Sequence, residues 1–158
     1  MQPSLFVAID PGAAGAAVIR HSIGEIVDIV AHDGDDSIVG VARTAAEYSN
    51  ATVVIEQVWG SPVMGVSSAF AFGVNFGKWV GALKAHQIPV YAVTPQAWQK
   101  IIVPDIEGQG VERKRALKAA AAQMFPEHKA TMAVCDALLI SEYAVRQYKA
   151  GKKLGELL

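Results

Sequence analysis

The sequence predicts an α/β fold: a mixed five-stranded sheet, made of a three-strand antiparallel meander plus parallel strands, flanked by helices. Three observations lead there. Leu5-Phe6-Val7-Ala8-Ile9 and Thr52-Val53-Val54-Ile55 are short apolar runs without alternation, the pattern of strands buried on both faces. Three strand candidates, residues 4–9, 14–20 and 25–31, follow one another across short turns at Pro11-Gly12 and Ser22 to Gly24, which makes a meander. Helical segments separate the later strand candidates, which is the arrangement that parallel pairing requires.

Each element has a local reason. Asp33-Gly34-Asp35-Asp36 breaks the meander, and Ser37 or Asp36 can cap a helix running to about Tyr48, which Ser49-Asn50 ends. The 52–56 run is too β-branched for a comfortable helix and is read as a strand parallel to the first, so that Asp10 and Glu56 lie side by side at matching ends. The loop Gln57-Val58-Trp59-Gly60-Ser61-Pro62 leads to a long helix from about Val63 to His86. Gly73, Gly77 and Gly81 recur there every four residues, with Ala69 on the same line, and permit close packing on the domain's own sheet or on a twin helix across a dimer axis. Phe70, Phe76 and Val80 are read as core. Pro89 to Val93 is a further strand, followed by a helix with Thr94 as cap and Pro95 in its first turn. Residues 104–110, with Pro104, Gly108 and Gly110, form a loop. Glu112-Arg113-Lys114-Arg115 opens a helix that runs to Phe125 and stops at Pro126. Thr131 can cap the last helix, which carries Asp136 on an apolar stripe with Met132, Ala133, Leu139, Ile140 and Tyr143. Glu142 points away from that stripe.

One domain is expected over residues 1–149, followed by a basic tail, 150–158. The hydrophobic fraction is 52%, yet no apolar run approaches the roughly 18 residues that span a bilayer. No signal-peptide pattern opens the chain. A single cysteine, Cys135, excludes an internal disulfide and multi-cysteine zinc sites, and fits a reducing cytoplasm. The net charge of −1 hides an asymmetry: residues 1–77 carry 2 Lys+Arg against 8 Asp+Glu, and residues 78–158 carry 12 against 7. A basic half suits phosphate and an acidic half suits metal, although a solvated basic surface has the same composition.

Asp10, Glu56 and Asp136 each stand at the edge of an apolar element, where an unpaired charge costs several kcal/mol or more. Three acids so placed suit a shared divalent metal; singly, each could instead cap a helix or pair with a Lys or Arg.

Four segments carry a family resemblance: Ala8-Ile9-Asp10-Pro11-Gly12 with Gly15-Ala16; Ile55-Glu56-Gln57-Val58-Trp59; Val93-Thr94-Pro95 with Trp98 and Lys100; and Asp136-Ala137-Leu138-Leu139-Ile140. In this order they resemble RuvC-like Holliday junction resolvases, most of all the short phage and bacterial branch, over roughly residues 5 to 146. The resemblance implies a ribonuclease H-like fold, a homodimer, a bacterial or phage-infected cytoplasm, and nicking of paired strands at four-way DNA junctions. It implies Asp10, Glu56 and Asp136 as catalytic ligands of Mg2+, about two ions per site, with Mn2+ as a substitute. It implies Trp59 as an aromatic that stacks on a base at the junction centre; as a structural residue, Trp59 would be a lid over the next helix. Lys100, Arg113, Lys114 and Lys118 become candidate phosphate contacts. One departure stands out. Ala133 occupies the position, three residues before Asp136, where such enzymes often carry a fourth ligand, and His128 in the preceding loop is a candidate replacement. A branched-DNA-binding protein that cuts poorly is therefore the alternative function. An actin-like or sugar-kinase ATPase is disfavoured, because that architecture needs two such domains.

Overall fold

The computed structural model describes residues 4–60 and 62–158 of the chain. The N-terminal residues 1–3 of the expected domain, and Ser61 of the expected loop, lie outside the described residues. The strands are β1 (Leu5–Asp10), β2 (Ala16–His21), β3 (Ile26–Ala31), β4 (Ala51–Glu56), β5 (Val90–Val93) and β6 (Glu156–Leu157). The helices are α1 (Gly34–Ala46), α2 (Val66–Ala85), α3 (Pro95–Ile102), α4 (Gly110–Met124) and α5 (Cys135–Lys149).

These strands form one sheet in the order β3-β2-β1-β4-β5-β6. The meander β1-β2-β3 is antiparallel, and β1, β4 and β5 run parallel, as expected. Register follows side-chain alternation. Ile9 pairs with Ile55, so Asp10 and Glu56, one residue further on, emerge together on the opposite face of the sheet.

That face packs Phe6, Ala8 and Val54 against α3, α4 and α5, with Trp98, Leu117, Leu138 and Leu139 in the same cluster. The other face packs Val7, Ile9, Val53 and Ile55 against α1 and α2, through Ile38, Val41, Trp79 and Leu83. Glu142 does point elsewhere than Asp136: it pairs with Arg20 at 2.7 Å and Arg146 at 2.8 Å.

Four local differences from expectation have physical causes. First, α1 starts at Gly34 with Asp33 as its N-cap residue, because the Ser37 hydroxyl reaches back to accept from the Asp33 N–H at 3.0 Å and donates to Gly34 O. Second, the last helix starts only at Cys135; Thr131 opens the turn before it, its hydroxyl accepting from Val134 N at 3.2 Å. Third, the end of the tail is a strand. Leu157 and Glu156 pair antiparallel with Tyr91 and Ala92 and add a sixth strand at the β5 edge. The backbone of Ala92 lies so close to Gly155 that a Cβ there would sit 2.2 Å from its carbonyl oxygen. Fourth, Phe70 is not core: it is 74% exposed, whereas Phe76 and Val80 do pack against the α1/α2 cluster. α2 is rotated so that only Trp79 and Leu83 are fully buried, and the glycine stripe faces away from the sheet.

Candidate active site

The site is built where β1 and β4 end beneath α5. After Asp10 the chain turns sharply, with Gly12 N–H donating to Asp10 Oδ1 at 3.1 Å and Gly15 N–H donating to Gly12 O at 2.9 Å. Gly15 lies directly against the Asp10 backbone, and a Cβ there would come within 2.1 Å of the Asp10 carbonyl oxygen. Only glycine fits so close an approach. Asn75 of α2 clamps the same turn by donating from Nδ2 to Pro11 O at 2.5 Å.

Glu56 meets Trp98 of α3, whose indole Nε1–H donates to Oε2 at 2.6 Å. Asp136, at the first turn of α5, accepts from Lys114 Nζ of α4 at 2.5 Å, and the Cys135 thiol donates to its other oxygen at 3.5 Å. The three predicted acids thus reach one region from three distant segments; α3 and α4 supply the donors to Glu56 and Asp136, and Asp10 is held by the N–H of its own turn.

Electrostatics records their closeness. Burial, then the charges of Asp10 and Asp136, push the Glu56 carboxyl up to about 7, against the opposing pull of the Trp98 N–H and Lys114. Burial also raises Asp10, helped by Asp136 and opposed by the Gly12 N–H and Lys114. For Lys114, burial would lower the ammonium, but the charge and hydrogen bond of Asp136 outweigh it and hold the group above its usual range. Burial and Asp136 push the Cys135 thiol up to about 11, which keeps it protonated and a poor nucleophile at neutral pH.

The donor set fits a hard divalent cation: carboxylate oxygens, crowded enough that their mutual repulsion is visible in Glu56, with one ammonium as local compensation. Among the described residues, no group of three or more His, Cys, Asp or Glu side chains is arranged to hold a metal ion as it stands. As they stand, Asp136 is held by Lys114 and Glu56 by Trp98.

The other sequence-predicted residues divide. Lys114 joins the acids. Lys118, one turn further along α4, is exposed, as is Lys100. Arg113 is occupied within the fold: Nε and Nη2 donate to Gln99 Oε1 at 3.0 and 2.6 Å, and Nη1 to Ile106 O at 3.0 Å. With Lys100, Gln96, Gln99 and Gln109 it lines an open cleft of about 630 Å³. Trp59 is 64% exposed, which does not suit a lid. Ala133 is half-buried, and His128 lines a separate cleft with Arg20 and Phe125. The contacts of Trp98, Cys135 and Gly15 were not readable from sequence, although Trp98 and Gly15 stand in the segments that carry the family resemblance.

No family model and no curated protein sequence matches this chain. In structure it is similar to Thermus thermophilus RuvC in complex with Holliday junction substrate, at a TM-score of 0.68 and 14% identity, covering 98% of this chain and 99% of that one. A second Thermus thermophilus RuvC structure matches at a TM-score of 0.62 and 15% identity, again over 98% and 99%. At this identity the likeness establishes the fold: the mixed sheet flanked by helices is the ribonuclease H-like architecture of RuvC over essentially the whole chain.

Proposed function

We propose that this protein is a metal-dependent, structure-selective DNA endonuclease that resolves four-way junctions by paired phosphodiester hydrolysis. The observation that carries the reading is the convergence of Asp10, Glu56 and Asp136 at the ends of β1 and β4 and the start of α5, with Glu56 on a donor from α3, Asp136 on one from α4, and Asp10 on the N–H of its own turn. The fold shared with a protein solved on Holliday junction substrate supports it. In this reading the three acids hold Mg2+ or Mn2+, which supplies an activated water and stabilises the leaving oxygen. Lys114 keeps the Asp136 carboxylate oriented while lending positive charge to the site. Lys100 and Lys118, both exposed, offer phosphate contacts that give affinity without sequence information. Trp59, exposed in the loop after Glu56, offers a stacking surface to an unpaired base.

The reading includes a homodimer. One face of α2 presents Val66, Phe70, Gly73, Val74, Gly77 and Gly81, and a Cβ on any of the three glycines meets nothing within 4 Å. Val66 is 87% and Phe70 74% exposed, an apolar helix face that a second copy would cover. Two copies would give the two sites that paired nicks require. Among the described residues no helix is long and apolar enough to cross a membrane.

Ala133 favours a second reading, a junction-binding protein that cuts poorly, because three residues before Asp136 it offers no side-chain ligand atom. The experiment is incubation with a labelled four-way junction and a matched linear duplex in Mg2+, Mn2+ or EDTA. Metal-dependent paired nicks confined to the junction are expected. Tight junction binding with no nicks in any metal would leave the second reading.

A further inference from the structure

Trp98 is completely buried, yet its one polar atom is spent on a carboxylate: Nε1–H donates to Glu56 Oε2 at 2.6 Å. The chain builds that contact over a short path. β5 pairs with β4 so that Val93 lies opposite Glu56, and Gln57 N–H donates to Val93 O at 2.8 Å. Thr94 then caps α3, its hydroxyl accepting from Ala97 N at 3.2 Å with Pro95 at the first helical position. This fixed start brings the next residue, Trp98, back over the carboxylate of the neighbouring strand. A leucine or phenylalanine could fill the core there. The indole adds an uncharged donor that cannot also accept, and a donor-only group in contact with a carboxylate oxygen holds it in one orientation.

We propose that Trp98 is a positioning residue for Glu56: by holding Oε2 it fixes the carboxylate and leaves Oε1 as the oxygen offered to a divalent cation. This rests on the reading of the three acids as a metal centre. Partners behind a ligand typically change metal affinity 10- to 100-fold when removed.

The test uses the full chain and Mn2+ as probe. Calorimetry on folded Trp98→Phe is expected to show Mn2+ binding about 10- to 100-fold weaker than wild type, with metal-free binding to a four-way junction unchanged. Unchanged Mn2+ affinity in that variant overturns the proposal. A second measurement stands even if Trp98→Phe does not fold. The Trp98 indole N–H resonance in isotope-labelled protein should lie downfield, move upfield in Glu56→Gln, and shift on addition of Mg2+; a resonance indifferent to both overturns the proposal. Glu56→Gln separates the two levels: if its Mn2+ affinity equals wild type, the metal-centre reading itself fails and the role of Trp98 fails with it. If Glu56→Gln loses Mn2+ while Trp98→Phe does not, only the positioning role is lost.

Discussion

α2 and α5 lie on opposite faces of the same sheet, and their compositions and their burial run in opposite directions. α2 is the more apolar, yet of its 20 residues only Trp79 and Leu83 are fully buried. α5 carries Asp136, Ser141, Glu142 and Arg146, yet 10 of its 15 residues are buried, including Asp136 and Ser141. A helix can bury polar groups when each finds a partner, as Asp136 does on Lys114 and Ser141 does by donating to Leu138 O at 2.6 Å. A helix that leaves Val66 and Phe70 in solvent has an unmet packing demand. The α5 face is therefore packed within one chain and carries the candidate site, while the α2 face leaves Val66 and Phe70 uncovered. The turn after Asp10 joins the two, because Asn75 of α2 clamps Pro11.

Substitutions on the two faces should separate these roles. The largest effect belongs to the chemistry: Asp10→Asn is expected to reduce junction cutting to background while junction binding survives, read by gel shift beside the cleavage assay. Wild-type cutting by that variant would remove Asp10 from the site. On the other face, Gly77→Leu is expected to turn a dimer into a monomer by light scattering, with the circular dichroism spectrum preserved, since its Cβ has open space in the single chain. A dimer of unchanged mass would move the seam away from α2. Next comes stability: Leu139→Ala, in the fully packed α5 face, should cost about 2–5 kcal/mol in chemical denaturation, whereas Val66→Ala, 87% exposed, should be close to neutral in the monomeric Gly77→Leu background. Equal costs would erase the contrast between the helices. Smaller again, Trp59→Ala is expected to lower activity on intact junctions more than on flexible nicked ones, by an amount equivalent to about 1–3 kcal/mol of base stacking.

Much of this contrast was legible in the sequence, and the part that was not has one cause. Unalternating apolar runs identified β1 and β4, and the order of segments placed Asp10 beside Glu56. The periodicity around Asp136 put that acid on a buried stripe while Glu142 faced away. The tail was read as basic and without a strand, but pairing of Leu157 and Glu156 with β5 depends on a strand more than 60 residues earlier, which local composition does not report. Phe70 failed for the same reason. Apolar residues at helical spacing say that a face wants cover, and only the rotation of α2 set by Trp79 and Leu83 says which face the sheet receives. The donors to the acids, Lys114 and Trp98, come from α4 and α3, so their pairing is a product of helix packing. Lys114 was visible as a basic residue suited to phosphate, without its carboxylate.

The finest test of the complete face concerns what its acids do to stability. Glu56 is raised from 4.5 to about 7, first by burial and then by the charge of Asp10. A carboxyl raised on folding contributes most below its unfolded value, where it is neutral in both states. That contribution is lost as pH rises from about 4.5 through about 7, because the folded state then has to accept a crowded charge. Glu56→Gln removes the charge and can keep an oxygen for the Trp98 N–H. In EDTA, the variant should therefore melt a few degrees above wild type at pH 8, with the gap closing as pH falls to 4.5, as followed by thermal unfolding across that range. Added Mg2+ should reverse the order at pH 8, since a cation that binds the folded acids stabilises wild type by mass action. A gap that ignores pH would mean that the carboxylates do not crowd one another in solution. The α5 face would then be complete in packing but not charged in the way that a metal centre requires.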